Sequence, residues 1–119
     1  MNAIDGAIER LDRVEFGLFE AHLRRCQNSG GLVVLSPRLV FLGAAWDPVA
    51  GDDEHTLAVM YVHGDAAGEI LPVVEQARRQ GFTHVLWCRE VSRGDSRLRK
   101  VSLERFERIC RKCYGSRLV

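Results

Sequence analysis

The stretch TLAVMYVHGDAAGEILPVVEQARRQGFTHVLWCR, residues 56–89, predicts one strand–helix–strand unit. Two β-rich apolar runs, TLAVMYV and THVLWC, flank a segment with a helical apolar face that ends at Gly81. That face is formed by Ile70, Val73, Val74 and Ala77. Nearly continuous apolar strands joined by a helix indicate a parallel pair with a right-handed crossover. Such a pair offers a ligand crevice at the strand ends, with helix amides at its mouth.

The sequence before this unit predicts one or two helices and a hairpin. Residues 1–27 follow a helical pattern whose apolar stripe shifts near Val14, which indicates a kinked helix or two short helices. Residues 31–35 and 38–45 are apolar runs on either side of a Ser-Pro turn. A short antiparallel hairpin is the simplest connection between them.

The sequence around and after the central helix leaves one alternative open. Pro72 either kinks the central helix or lies in its first turn, with the helix starting near Ile70. Residues 92–100 are predicted to form a charged loop, with some extended structure as the alternative, and Ser102 is the predicted N-cap of a last helix. The order α(α)-β-β-β-α-β-α predicts an α/β (α+β) fold, a single domain over 1–119 with one mixed sheet and helices on both faces.

Composition excludes several classes of protein. The chain has 119 residues, which is long enough to bury a core without disulfides. Its formal net charge is +1. No apolar run approaches the ~20 residues that a membrane span needs, and the N-terminus lacks the layout of a secretion signal. We therefore expect a cytoplasmic protein whose four cysteines are reduced.

The loop HGDAAG at residues 63–68, followed by ILPVVEQARRQGF, resembles a divergent and truncated form of the GCN5-related N-acetyltransferase (GNAT) fold. The resemblance implies that acetyl-CoA or another acyl-CoA, as co-substrate, lies between the 59–62 and 83–88 strands. Its pyrophosphate would rest on helix amides, and Arg78 or the basic tail would meet the 3′-phosphate. The cofactor-binding residues implied are Val62, Ala66, Ala67, Gly68, Glu69 and Arg78.

The same resemblance implies an acyltransferase that moves an acyl group from acyl-CoA to the amine of a small molecule or a protein. His63 or Glu54 would accept the proton of the amine, since imidazole ordinarily titrates near neutral pH and a strand-borne carboxylate is common in the family. Tyr114 is the tyrosine nearest to the position from which the family protonates the leaving thiolate, although Cys110 falls about where that tyrosine would stand.

Two other functions fit the sequence. The same fold could be a non-catalytic binding or assembly module, such as an accessory protein of a phage or mobile element, and an exposed last strand predicts a possible homodimer. The basic stretch Arg93 to Lys112 could bind nucleic acid, although a solvated helix face is the simpler reading.

The cysteines permit a further alternative. Cys110 and Cys113 have metal-ligand spacing, and Cys26 with Cys88 or His22 could complete a zinc site. Because the pair lies on the apolar face of a helix, we expect buried core cysteines and no metal.

Overall fold

The computed structural model describes residues 2–14, 17–46, 54–64, 66–92 and 95–114, and the statements below concern these residues. They form four helices and five strands. In chain order the elements are α1 (Ala3–Val14), α2 (Leu18–Asn28), β1 (Leu32–Leu35), β2 (Leu39–Trp46), β3 (Thr56–Gly64), α3 (Ala66–Arg79), β4 (His84–Ser92), β5 (Asp95–Ser102) and α4 (Leu103–Tyr114). The predicted mixed α/β fold is confirmed.

The five strands form one sheet in the order β1-β2-β3-β4-β5. The β1–β2 hairpin and the β2–β3 pair are antiparallel, β3 and β4 are parallel across the α3 crossover, and β4–β5 is an antiparallel hairpin. The segment predicted mainly as a charged loop over 92–100 is a strand for most of its length, because Asp95–Ser102 pairs with β4; of that prediction the extended alternative is the one that holds. This strand separates β4 from the last helix in the element order.

Helices cover both faces of the sheet, as predicted. On β2, Val40, Leu42 and Ala44 point toward α1 and α2, and together with Ala7 and Cys26 they form one core. The alternate residues of β2 point toward α3 and α4 and belong to a second core. That core contains Leu39, Phe41, Leu57, Val73, Val74, Val85, Leu103 and Cys110.

Local sequence signals explain where the helices begin and end. The N-terminal helical pattern is two helices, because Gly17 adopts a φ of 70° that other residues rarely take. Gly81 ends the central helix at a φ of 87°. The predicted N-cap is confirmed, since the Ser102 hydroxyl accepts a hydrogen bond from the Arg105 amide at 3.2 Å.

The central helix begins at Ala66, so Pro72 lies inside it and not in its first turn. Proline has no amide hydrogen, so the Gly68 carbonyl loses the helical hydrogen bond it would receive from residue 72. Pro72 is exposed, which places this gap in the hydrogen-bond pattern on the solvent side of α3.

The edges of the sheet are β1 and β5, not β4. The exposed last strand on which the homodimer was predicted is therefore β5 and not β4, and the homodimer stays a prediction. The new edge carries Leu98, 72% exposed, next to the exposed Arg99 and Lys100. Charged residues on an edge strand disfavour strand addition. No helix in the described ranges has the length and apolar character to cross a bilayer.

Candidate functional site

The parallel strands β3 and β4 are paired for only three residues each. Thr56, Leu57 and Ala58 face His84, Val85 and Leu86, and no further pair joins the two strands within the described residues. Both strands nevertheless continue, β3 to Gly64 with β2 and β4 to Ser92 with β5. The sheet therefore opens between two intact strands on the side where α3 begins.

A β-bulge lies at the start of this opening. Leu42 pairs with Tyr61, while the next residue, Gly43, pairs with Val59, so Met60 has no partner on β2. A bulge bends its strand and increases the local twist. Because Met60 comes two residues after Ala58, the bulge turns β3 away from β4 where their ladder ends.

The N-terminus of α3 lies at the mouth of the opening. Helix α3 begins at Ala66, two residues after β3 ends. The amides of its first turn have no acceptor within the helix, and the helix dipole adds partial positive charge there. Ala66, Ala67 and Gly68 supply three of these backbone amides, at the position that the sequence predicts.

The turn of the β1–β2 hairpin lies beside this N-terminus. Leu39 pairs with Gly64, which brings Arg38 next to the end of β3. Gly64 has a φ of 118°, and any side chain there would overlap the Arg38 carbonyl. The Arg38 guanidinium is 3.9 Å from the Glu69 carboxylate in the first turn of α3, and its side chain is 75% exposed.

His63 and Val62 lie on opposite faces of β3 at the opening. His63 pairs with Val40 and lies on the α1 side, where its ring stacks with that of Tyr61 at 6.2 Å between centroids. It also contacts α1, because a Cβ on Gly6 would stand 2.7 Å from its Nε2 atom. Val62 lies on the α3 side and is 37% exposed.

Helix α4 runs toward the same end of the sheet. It starts beside the beginning of β4, where the Leu103 amide donates to the Thr83 carbonyl at 2.7 Å. One turn later the Phe106 ring contacts Trp87, farther along β4, so α4 leads from the beginning of β4 toward the end of the sheet where α3 begins. Tyr114, the last residue of α4, therefore lies at the end of the sheet where α3 begins; its side chain is outside the described residues.

Two of the predicted site residues lie elsewhere. Glu54 precedes β3, and the nine residues to His63 span about 30 Å of extended chain. Arg78 follows Ala66 by twelve residues, about 18 Å along α3, and its guanidinium already binds Glu75 and Glu107. The structure does not bring either residue to the mouth of the opening.

Glu54 belongs to a polar chain at the opposite end of the sheet. Its carboxylate binds the Lys100 ammonium and lies 3.4 Å from Nε2 of His84. Nδ1 of His84 is 2.8 Å from the Thr83 hydroxyl oxygen. The hydrogen bond from Lys100, with smaller contributions from the charges of His84 and Lys100, lowers the pKa of Glu54. A carboxylate with a lowered pKa is a weaker proton acceptor, which favours His63 over Glu54 as a base.

Two of the cysteines considered as zinc ligands, Cys26 and Cys110, lie on opposite faces of the sheet. Cys26 is fully buried in the core under α1 and α2, whereas Cys110 is buried in the core under α3 and α4. They cannot share a metal ion. In the described ranges, no three His, Cys, Asp or Glu side chains are grouped so as to hold one.

Two residues of the opening were not identified from the sequence. Arg38 reaches α3 only through the Leu39–Gly64 pairing, and Met60 is unpaired only because of the register between β2 and β3. Neither residue belongs to a motif. The shortness of the Ser-Pro turn and the fixed length of the hairpin were the only signals that could have placed Arg38 near the mouth.

Comparisons with protein-family models, with curated proteins and with solved structures each found no match.

Proposed function

We propose that this protein is a GNAT-like N-acyltransferase that binds acyl-CoA in the opening between β3 and β4. The observation that carries the proposal is the three-residue ladder between these strands, followed by divergence of both strands. A parallel pair normally closes its sheet by hydrogen bonds along the shared length. Where the strands diverge, the β3 side of the opening consists of the backbone N–H and C=O groups beyond Ala58.

The opening suits the extended pantetheine portion of CoA, which contains amide groups. A ligand with alternating amide donors and acceptors can add to a strand edge through main-chain hydrogen bonds. The side of β3 between Val59 and His63 that faces the gap has no partner strand among the described residues, so these groups are available. Trp87, whose ring packs against Phe106 at 5.5 Å, forms part of the opposite wall on β4.

The phosphates of CoA would lie at the α3 N-terminus. Amides at Ala66 to Gly68 point out of the first helical turn, and anions bind favourably at such an end. Arg38 supplies a positive side chain at the same place, since it lies beside Gly64 and within 3.9 Å of Glu69. Arg38 would therefore join the helix amides at the pyrophosphate, whereas Arg78, implied for the 3′-phosphate, lies away from the mouth of the opening.

Acyl transfer needs a proton acceptor for the incoming amine and a proton donor for the leaving thiolate. The amine nitrogen forms a bond to the thioester carbon, the C–S bond breaks, and CoA leaves as a thiol. His63 is the described imidazole at the mouth of the opening and would take the amine proton. Tyr114, which ends α4 at the same end of the sheet, would supply the proton to sulfur.

Thermal unfolding with and without millimolar acetyl-CoA tests the binding part of the proposal, with desulfo-CoA and ATP as controls. A ligand at about 100 times its Kd stabilises a protein by about 2.7 kcal/mol, which raises the melting temperature by several degrees. Acetyl-CoA and desulfo-CoA should both give this shift, and ATP a smaller one. An equal shift with ATP, or none with acetyl-CoA, would contradict a CoA site.

Turnover separates the enzyme from a non-catalytic module on the same fold. Release of CoA thiol from acetyl-CoA in the presence of an amine panel should depend on His63 and be lost in His63→Gln. Binding with no thiol release for any amine would support the module instead.

A further inference from the structure

The outward face of α4 carries three cations around one apolar residue. Arg105, Arg108 and Lys112 surround Ile109, and together these four line an open depression of about 450 Å³. Residues at this spacing share one side of a helix. The inward side of α4 is occupied by Leu103, Phe106 and Cys110, which pack against the sheet. The depression is thus separate from the opening between β3 and β4.

The described residues place no ion-pair partner on these three cations. Among the described residues no ion pair involves Arg105, Arg108 or Lys112. Glu107 is held on the α3 side of the helix by Arg78 and Arg111. Within the described ranges the positive charge of this face therefore faces solvent.

A fourth cation lies on the same side of the sheet. Arg99 of β5 pairs with Trp87 of β4, and cross-strand partners point to the same face. The Trp87 ring contacts Phe106, so this is the face that α4 covers. Arg99 is exposed on this strand, which is the edge of the sheet on the α4 side.

We propose that this basic face, defined by Arg99, Arg105, Arg108 and Lys112, binds the phosphodiester backbone of duplex nucleic acid. From Arg105 to Lys112 the row is about 10.5 Å long. A duplex presents a phosphate every ~3.4 Å of its axis on each strand, so the row spans about three phosphates.

The side chains available predict binding without base recognition. Among the described residues no aromatic ring lines the depression, and the Trp87 ring beside Arg99 packs against Phe106. Stacking on bases is therefore not expected, and contacts to phosphates alone carry no sequence information. A membrane surface fits less well, because among the described residues the depression has one apolar side chain, Ile109 at 37% exposed, whereas interfacial helices present a broad apolar face.

Fluorescence anisotropy with a labelled 20-base-pair duplex of arbitrary sequence tests the proposal. Three to four phosphate contacts predict a slope of log K against log salt of about −0.9 for each contact. The affinity should fall about 40- to 150-fold between 50 and 200 mM salt. A second duplex of unrelated sequence should bind equally well.

Two triple variants of equal net charge locate the binding surface. Arg105→Gln/Arg108→Gln/Lys112→Gln should abolish most binding and remove the salt dependence. Arg10→Gln/Arg24→Gln/Arg25→Gln, which changes exposed cations on the helices of the opposite face, should keep both. Circular dichroism of both variants checks that the fold is retained.

Three results would overturn the proposal. Equal losses in both triple variants would show that overall charge, not the basic face, holds the duplex. No binding of wild-type protein at 50 mM salt would exclude the surface. Binding to vesicles containing phosphatidylserine, without binding to the duplex, would assign the face to a membrane.

Discussion

Ala58 and Leu86 form the last residue pair of the parallel ladder, and beyond them β3 and β4 separate while each keeps its outer neighbour. Met60 follows two residues later as an unpaired bulge. The bulge accounts for the end of the ladder, because the added twist of a bulged strand carries it away from a straight neighbour. The opening is thus a property of the register between β2 and β3.

Deleting Met60 should close the opening. Val59 and Tyr61 would then be consecutive, and since they already point to opposite faces, regular alternation is restored without turning any side chain over. We expect the variant to fold, with a loss of about 1–2 kcal/mol for the half-buried methionine, and to lose acetyl-CoA binding by calorimetry.

Met60→Ala provides the matched control for this deletion. It removes the same packing but keeps the bulge, so acetyl-CoA affinity should stay within about twofold of wild type. If the deletion binds acetyl-CoA as well as Met60→Ala does, the bulge does not create the site.

Gly6→Ala should reduce turnover without reducing stability. A Cβ at this position would stand 2.7 Å from Nε2 of His63, so the imidazole must turn away from its present place. Alanine is favoured over glycine inside a helix by up to about 1 kcal/mol, and the melting temperature should be unchanged or higher. Thiol release from acetyl-CoA should fall about tenfold or more. Full turnover in both Gly6→Ala and His63→Gln would remove His63 from the reaction.

Glu107→Gln should lower stability at neutral pH but not in acid. Hydrogen bonds from Arg111 and then Arg78 lower the pKa of Glu107, so its carboxylate stabilises the fold above the unfolded-state pKa of about 4.3. This contribution is lost as the pH falls through the lowered pKa. Melting temperatures of the variant and wild type should therefore differ at pH 7 and converge below about pH 4.

Glu20→Gln is the control for this pH series. Glu20 binds Arg24 within α2 and is 66% exposed, so its removal should change the melting temperature less than Glu107→Gln does. A difference for Glu107→Gln that persists unchanged into acid would mean that packing, not charge, accounts for it.

Gly31→Ala should be the more damaging of two neighbouring glycine substitutions. A Cβ on Gly31 would overlap the Gly43 carbonyl and stand 2.9 Å from the Ala44 Cα, and backbone atoms cannot rotate aside. We expect a loss of about 3 kcal/mol in urea unfolding. Gly30 has a φ of 75° but open space around it, so Gly30→Ala should lower the free energy of unfolding by only about 1–2 kcal/mol. The reverse order would contradict the tight approach of Gly31 to β2.

The central unit was predictable because its signals are local. The apolar runs of β3 and β4, the helical face from Ile70 to Ala77 and the cap at Ser102 each lie within a few residues of chain. Strand β5 was not predicted as a strand because its apolar residues, Leu98 and Val101, do not alternate with polar ones. Its charges suit an exposed edge, and the strand exists through pairing with β4.

The geometry of the opening was less predictable, since it depends on contacts between distant residues. The position of α3 predicted the amides of Ala66 to Gly68, but the bulge at Met60 and the approach of Arg38 follow from pairing across the sheet. The helical pattern places Arg78 on the exposed side of α3, where it could meet a phosphate. Only the packing of α4 against α3 shows that Arg78 instead pairs with Glu107.

A titration with acetyl-CoA, followed by backbone amide chemical shifts, tests whether the opening between β3 and β4 holds acyl-CoA. We expect the largest changes on Val59 to Gly68 and on Trp87, the two sides of the opening and the start of α3. Changes centred on Arg105 to Lys112 would show that CoA phosphates bind only the basic face. That result, or no change at millimolar acetyl-CoA, would contradict an acyl-CoA site between β3 and β4.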